Sequence, residues 1–171
     1  MIVLRANTAH FRVSRTWRAH CRRFGIFVLL ACLLACEPAS DSGAYSGPPG
    51  APIGLPDGTT IQAELATTAE QVTRGLMFRT QLAADRGMLF IFPDLQLRGF
   101  YMFQTLIPLD IIWIDAGRRI VYISEDTPPC PSRNPSQCPT YGGDAPAQYV
   151  LELAAGQAAA HGLKVGDSLT F

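Results

Sequence analysis

Short apolar runs with a period of two residues constrain the fold of this 171-residue chain more than any other feature. Residues 61–65 and 149–153 alternate in this way, and between them residues 88–92 form a continuous apolar run. Alternation over about five residues is typical of strands in a sheet, and Pro93 is expected to end the second run. Two further apolar runs, residues 109–114 and 120–124, flank the turn-forming residues 115–118 and predict a β-hairpin.

Helix signals are fewer than strand signals. Thr67 and Glu70 have the spacing of a capping box, which predicts a helix of two to three turns from about residue 68. A second short helix is predicted over residues 155–161, with Gly162 as its left-handed stop. The sequence therefore predicts an α+β domain, mainly antiparallel, in which a compact sheet or partly open barrel carries one or two short helices.

The first 35 residues have the features of a bacterial secretion signal. Several arginines precede the apolar run of residues 24–35, which is too short for the roughly 20 residues that span a bilayer. The sequence LLAC ending at Cys36 resembles the lipobox of bacterial lipoproteins, in which the cysteine is lipidated and becomes the new N-terminus. Cys32 ends a similar sequence, but Cys36 leaves the longer apolar run. The alternatives are an uncleaved anchor and an ordinary secretory signal.

The lipoprotein resemblance implies a location in the bacterial cell envelope. A lipid on Cys36 would anchor the chain to a membrane facing the periplasm, and Glu37 at the next position favours the outer membrane. Residues 36–57 are rich in Pro, Gly, Ser and Ala and predict a flexible tether. The predicted organisation is a signal peptide over residues 1–35, this tether, and one domain over residues 58–171.

The charge balance argues against one class of partner. The whole chain has 14 basic and 14 acidic residues, but six arginines lie in the predicted signal peptide. The remainder has 8 basic and 14 acidic residues, a net charge of −6. Nucleic-acid binding depends on clustered Lys and Arg, so no nucleic-acid partner is expected.

Several motifs of the predicted domain, taken together, resemble one family. They are RGLMFR at residues 74–79, GMLFIF at 87–92, FYMFQTLIPLDIIWID at 100–115, PPC at 128–130, PAQYVLEL at 146–153 and KVGD at 164–167. In this order they resemble DUF192, a domain of unknown function. The resemblance implies a compact β-rich domain, often found behind a bacterial signal sequence, and it implies no reaction. At residues 101–105 the chain has YMFQT where the family commonly has WMKNT, so an aromatic residue replaces a basic one.

Asp110 interrupts the apolar segment at residues 99–115. Alternation along a strand places Asp110 on the same face as Ile112 and Ile114, so that neither face is a conventional wet face. A buried carboxylate needs a partner or a raised pKa. In the structural interpretation, Asp110 accepts backbone N–H bonds or pairs with an arginine such as Arg74 or Arg79.

In the functional interpretation, Asp110 orients a ligand at the mouth of an apolar cavity. Our hypothesis combines the two interpretations, with Arg74 and Asp110 forming a polar floor beneath a shallow pocket. The candidate ligand-binding residues are Arg74, Met102, Gln104, Thr105 and Asp110.

Cysteine and histidine content bears on catalysis and metal binding. Cys130 and Cys138 lie in a proline-rich loop, and in an oxidising compartment this pair predicts a disulfide. Their spacing suits neither a C-x-x-C redox motif nor a zinc knuckle. Without the signal peptide His161 is the one histidine, and the chain has no G-x-S-x-G motif, so nucleophilic hydrolysis is not expected. No metal or cofactor is predicted.

These observations favour a non-catalytic, lipid-anchored envelope domain that binds a small molecule or an envelope protein through residues 100–110. One alternative is an envelope enzyme that uses paired carboxylates. The acids available for it are Asp110, Asp115, Glu125, Asp126 and Glu152. The other alternative is a purely structural or assembly-linked lipoprotein.

Overall fold

The computed structural model describes residues 50–171, so the predicted signal peptide, Cys36 and the tether up to residue 49 lie outside the described residues. The strands are β1 (Ala51–Gly54), β2 (Thr60–Ala66), β3 (Arg86–Phe100), β4 (Leu109–Ile114), β5 (Ile120–Thr127) and β6 (Tyr141–Ala154). The α-helices are α1 (Ala69–Arg74) and α2 (Gln157–Ala160), and a 3-10 turn covers Pro135–Gln137.

These strands form one open, six-stranded sheet in the order β1-β2-β3-β6-β4-β5. Strands β2 and β3 pair in parallel, and every other neighbouring pair is antiparallel. The last residues of the chain contact both edges of the sheet, because Thr170 pairs with Gly54 and Ser168 pairs with Arg119. The predicted α+β class, with a mainly antiparallel sheet and two short helices, is confirmed.

The predicted tether extends too far along the chain, because β1 lies inside its last residues. Ile53 of β1 is completely buried and pairs with Ile61 of β2. An isolated isoleucine in a Gly/Pro-rich segment is a weak strand signal by itself. Its pairing with β2 makes it part of the sheet.

Strand β3 continues through Pro93, where we expected it to end. Its pairing with β6 shifts register between Ile91 and Gln96, and Pro93 lies inside that irregularity. Proline lacks a backbone N–H and is tolerated where the ladder is interrupted. The strand therefore reaches Phe100.

Helix α1 is shorter than predicted, and its capping box lies one residue further along the chain. The Thr68 hydroxyl accepts the Gln71 N–H at 3.2 Å, and the Gln71 side chain accepts the Thr68 N–H at 3.0 Å. The helix ends at Arg74, and the capping residue Gly75 has a φ of 45°, which favours glycine. The second predicted helix is present as α2, and Gly162 follows it with a φ of 62°.

Both faces of the sheet are covered. On the face that we call the α2 face, Ile112 and Leu151 pack with Ala158 of α2. On the opposite α1 face, Ile111 and Trp113 pack in a cluster that Val72 of α1 joins. All six residues of β4 are buried. A carboxylate side chain in β4, or in the buried residues 150–153 of β6, is therefore covered by other residues on either face of the sheet.

The predicted disulfide between Cys130 and Cys138 is confirmed, with an S–S distance of 2.08 Å. It closes the loop that precedes β6, and Cys130 packs against the core of the α1 face. Within residues 50–171, no helix has both the length and the apolar character that crossing a membrane requires.

Candidate functional site

A cavity of about 390 Å³ opens on the α1 face of the sheet. The end of α1 and the loop at residues 75–77 form one side, and β3 with the residues after it forms the other. Aromatic rings provide much of the wall: Phe90, Phe92, Phe100 and Tyr101. Phe90 and Phe100 meet edge to face with ring centroids 5.0 Å apart, which fixes the wall on this side.

Glu152 of β6 brings a carboxyl group into this cavity. It pairs with Met88 of β3 and Ile111 of β4, so it stands in the middle of the sheet, and only 6% of the residue is exposed. Burial raises the pKa of Glu152 to about 8, and the charge of Arg79 opposes that rise. At neutral pH this group is therefore mostly a protonated acid, which can both donate and accept a hydrogen bond.

Gly75 lets the backbone after α1 approach the carboxyl group closely. A methyl group at this position would lie 3.2 Å from Cζ of Phe90 and 3.9 Å from Oε2 of Glu152. The positive φ of Gly75 independently disfavours any other residue. The glycine thus keeps this side of the cavity open.

Arg98 enters the cavity from β3. Its guanidinium lies over the Phe92 ring, 4.0 Å from the centroid, and forms an ion pair with Asp94. The Trp113 Nε1–H donates to the Arg98 carbonyl oxygen at 2.8 Å, which fixes the backbone here. Three contacts therefore fix the position of Arg98. Trp113 binds its carbonyl oxygen, and Phe92 and Asp94 contact its guanidinium.

Two side chains that line this cavity each carry a buried polar atom without a hydrogen-bond partner among the described residues. In the part of the chain that the structure describes, Glu152 Oε2 and Arg98 Nε are the buried side-chain nitrogen and oxygen atoms that lack one. A buried polar group without a partner costs about 1–3 kcal/mol. Both atoms belong to side chains that line the same cavity.

Arg74 lies at the rim of the cavity and is exposed. Across residues 50–171, no hydrogen bond or ion pair engages its guanidinium. Arg74, Gly75 and Met77 also line a second, larger cleft of about 860 Å³, so the two openings adjoin. That cleft contains Arg79, which forms two hydrogen bonds of 2.6 and 2.7 Å with the Glu64 carboxylate.

The structure brings together two of the five candidate ligand-binding residues. Arg74 and Thr105 both line the cavity. Met102 is buried in the core of the α1 face. Gln104 is exposed and lines a different cleft, while its carbonyl oxygen accepts the Phe78 N–H at 2.8 Å.

Asp110 lies on the α2 face, away from Arg74, and is completely buried. Its Oδ1 accepts the Asp126 N–H at 2.9 Å, and its Oδ2 accepts the Ala158 N–H of α2 at 2.7 Å. The hypothesis of a polar floor made by Arg74 and Asp110 is therefore wrong, because the sheet separates them. The contacts are those of the structural interpretation, in which the carboxylate accepts backbone N–H bonds.

Replacing Asp110 with asparagine is expected to lower the free energy of unfolding by about 1–3 kcal/mol. The amide offers one acceptor where two backbone N–H groups each need one, so either the Asp126 or the Ala158 N–H is left facing a donor. Urea unfolding measures the change. Ligand binding at the Glu152 cavity should stay at the wild-type level, and a variant as stable as the wild type would contradict this role.

Sequence reasoning names Glu152 only as one of five acids available to an enzyme, and it does not name Arg98. In the sequence Glu152 stands between Leu151 and Leu153, an alternation that is typical of a half-buried strand. The sequence signal for a buried Glu152 is Val150, an apolar residue two positions away on the same face of the strand. In the structure Val150 is completely buried. A carboxylate inside such a run is as anomalous as Asp110.

Catalysis and metal binding depend on which acids and histidines lie in or near the cavity. Among its described lining residues, Glu152 is the one carboxylate. His161 lies elsewhere, with Nδ1 2.8 Å from Asp57 Oδ2. Within residues 50–171, no group of three or more His, Cys, Asp and Glu residues is arranged to hold a metal ion.

The fold and the cavity define a class: a compact α+β domain on one mixed sheet, with a buried carboxyl group in an aromatic cavity on one face. The chain belongs to the DUF192 family, described as an uncharacterized ACR, whose profile matches residues 54–171. No curated protein matches the chain.

Two solved structures are similar to it. One is a protein of unknown function from Novosphingobium aromaticivorans DSM 12444, with 30% identity and a TM-score of 0.62 over 77% of this chain and 99% of that chain. The other is a candidate transcription regulator from Sinorhizobium meliloti 1021, with 34% identity and a TM-score of 0.60 over 70% of this chain and 89% of that chain.

Proposed function

We propose that this protein is a non-catalytic domain of the cell envelope that binds a small molecule in the Glu152 cavity. One observation carries the proposal: both buried side-chain polar atoms without a partner in residues 50–171, Glu152 Oε2 and Arg98 Nε, belong to residues of this cavity. Small-molecule sites are concave, mostly apolar and supplied with a few polar groups that fix orientation. Aromatic walls, together with two lining side chains that each carry an unpaired polar atom, fit that description.

The enzyme alternative is less well supported than binding. Catalysis by paired carboxylates needs two acids in one cleft, and Glu152 has no second carboxylate beside it among the described lining residues. Glu64, in the adjoining cleft, is already paired with Arg79. A neutral, buried Glu152 is suited to hydrogen bonding with a bound molecule.

The proposed location is the periplasmic side of a membrane, favouring the outer membrane, with a lipid on Cys36 as the anchor. The lipobox-like sequence ending at Cys36 supports it. The Cys130–Cys138 disulfide supports an oxidising compartment. The excess of acidic residues after the signal argues against nucleic acid, so the regulator description of the Sinorhizobium meliloti protein is not extended to this chain.

The test uses the full-length chain, purified in a mild detergent without denaturation. Native mass spectrometry would detect a retained ligand, and saturation-transfer NMR with a fragment library of acids, amides and amines would detect weak binders. Each is repeated with Glu152→Leu, which removes the carboxyl group at similar volume. Glu125→Gln is the matched control, because Glu125 is exposed on β5 and does not line the cavity.

Binding by the wild type and the control, with at least about tenfold weaker binding by Glu152→Leu, is the expected result. Unfolding curves distinguish lost binding from lost structure. Glu152→Leu should be at least as stable as the wild type, because it removes a polar group buried without a partner. The proposal fails if the wild type has neither a retained mass nor a fragment hit, or if Glu152→Leu binds the same molecules equally well.

A further inference from the structure

We infer that the ligand is a monoanion, such as a carboxylate, joined to an apolar or aromatic body. This inference rests on the proposed function and names the chemical class that the cavity selects. It follows from the unpaired polar atoms of Glu152 and Arg98, from the charge at the rim of the cavity and from the composition of the cavity wall.

The unpaired atoms favour a hydrogen-bond acceptor. Arg98 Nε–H can only donate, so the group that meets it must accept. Glu152 can donate from its protonated carboxyl group, since burial keeps the pKa of that group at about 8. A carboxylate has two acceptor oxygens, the number that one donor on Arg98 and one on Glu152 require.

The charged side chains around the cavity favour a ligand with one negative charge. Three cationic side chains lie near Glu152 among the described residues: Arg74 and Arg98 line the same cavity, and Arg79 lies beside it. Arg98 is paired with Asp94, and Arg79 is paired with Glu64. Arg74 has no such partner among residues 50–171, so one positive charge at the rim is uncompensated. A cationic ligand would meet Arg74 unfavourably, and a purely apolar ligand would leave both buried polar atoms without partners.

The aromatic wall of the cavity favours a ligand with an apolar body. The rings of Phe90, Phe92 and Phe100 line the same cavity as Glu152 and Arg98. At the outer edge, Tyr101 is 43% exposed and Leu97 is 61% exposed, so apolar surface continues from the cavity to the rim. A ligand with a ring or short chain behind its acid would cover this surface.

Four related probes test the inference on the full-length protein at pH 6.5: 3-phenylpropionate, its neutral amide, 3-phenylpropylamine and acetate. Isothermal titration calorimetry compares their affinities. The expected order places 3-phenylpropionate about tenfold or more above the amide, above the amine and above acetate. Arg74→Gln should remove about tenfold of the preference for the acid over the amide. Arg118→Gln is the control, because Arg118 is exposed in the β4–β5 turn and lines neither cleft.

The outcomes separate this inference from the function on which it rests. If the amide or the amine binds as tightly as the acid, the anionic class is overturned and small-molecule binding stands. An unchanged preference in Arg74→Gln overturns the role of Arg74 and with it the charge argument for a monoanion. If none of the four probes binds to the wild type, the ligand class is overturned, and the fragment screen then decides whether the binding function also fails.

Discussion

Replacing Glu152 with glutamine is expected to raise the free energy of unfolding at pH 8 by a few kcal/mol. The unfolded chain ionises this carboxyl group near its ordinary pKa of 4.5, whereas burial raises the folded-state pKa to about 8. The folded protein therefore holds a proton that the unfolded chain releases, and wild-type stability falls as pH rises from about 4.5 to about 8. The slope is at most roughly 1.4 kcal/mol per pH unit. Glutamine carries no charge at any pH and removes this loss.

Urea unfolding at intervals from pH 4 to pH 9 tests this expectation. The variant and the wild type should have similar stability near pH 4, separate progressively through neutral pH, and keep a constant difference above about pH 8. Glu125→Gln should follow the wild-type curve, since Glu125 is exposed. Parallel curves for Glu152→Gln and the wild type would show that Glu152 is ionised in the folded protein, most simply through its neighbour Arg79.

Local signals were sufficient for the β4–β5 hairpin. The predicted strand at residues 109–114 has the same bounds as β4, because an apolar run and a compact turn define it without reference to distant segments. Strand β1 was missed for the opposite reason. Ile53 is one apolar residue among glycines and prolines, and its strand exists because β2 and Thr170 provide pairing partners from elsewhere in the chain.

Asp110 and Glu152, the two buried carboxylates among residues 50–171, show which features of the site the sequence could not predict. Alternation along β4 shows that Asp110 has no wet face, but it does not say which segment covers that face. The answer depends on α2, which supplies the Ala158 N–H from 48 residues away along the chain. Glu152 is covered on the other face by residues after α1 and by the end of β3, which reaches the cavity only because the strand continues past Pro93. The nature of each carboxylate's surroundings is thus set by non-local packing.

Replacing Gly142 with alanine is expected to lower the free energy of unfolding by about 3 kcal/mol or more. Gly142 has a φ of 72°, which disfavours other residues. A methyl group there would also lie 2.7 Å from Nε1 of Trp113 and closer still to two ring carbons of that residue. Trp113 is 1% exposed and packed in the core of the α1 face, so its ring has no free space into which to move.

Gly143 provides the matched control for this variant. Its φ of 91° imposes a similar backbone penalty, but a methyl group there would meet no atom within 4 Å. Gly143→Ala should therefore lose only the conformational part, about 1–2 kcal/mol. Urea unfolding of both variants isolates the steric part as the difference between them, and equal losses would contradict close packing of Gly142 on Trp113.

Gly142→Ala also tests whether the packing of Trp113 positions the wall of the cavity. Trp113 contacts Phe100 of the cavity wall, with ring centroids 5.8 Å apart, and its Nε1–H holds the Arg98 carbonyl oxygen. A displaced Trp113 ring would move both groups, so the part of Gly142→Ala that remains folded should bind 3-phenylpropionate more weakly than Gly143→Ala does. Equal affinity in the two variants would show that the positions of Arg98 and Phe100 do not depend on Trp113.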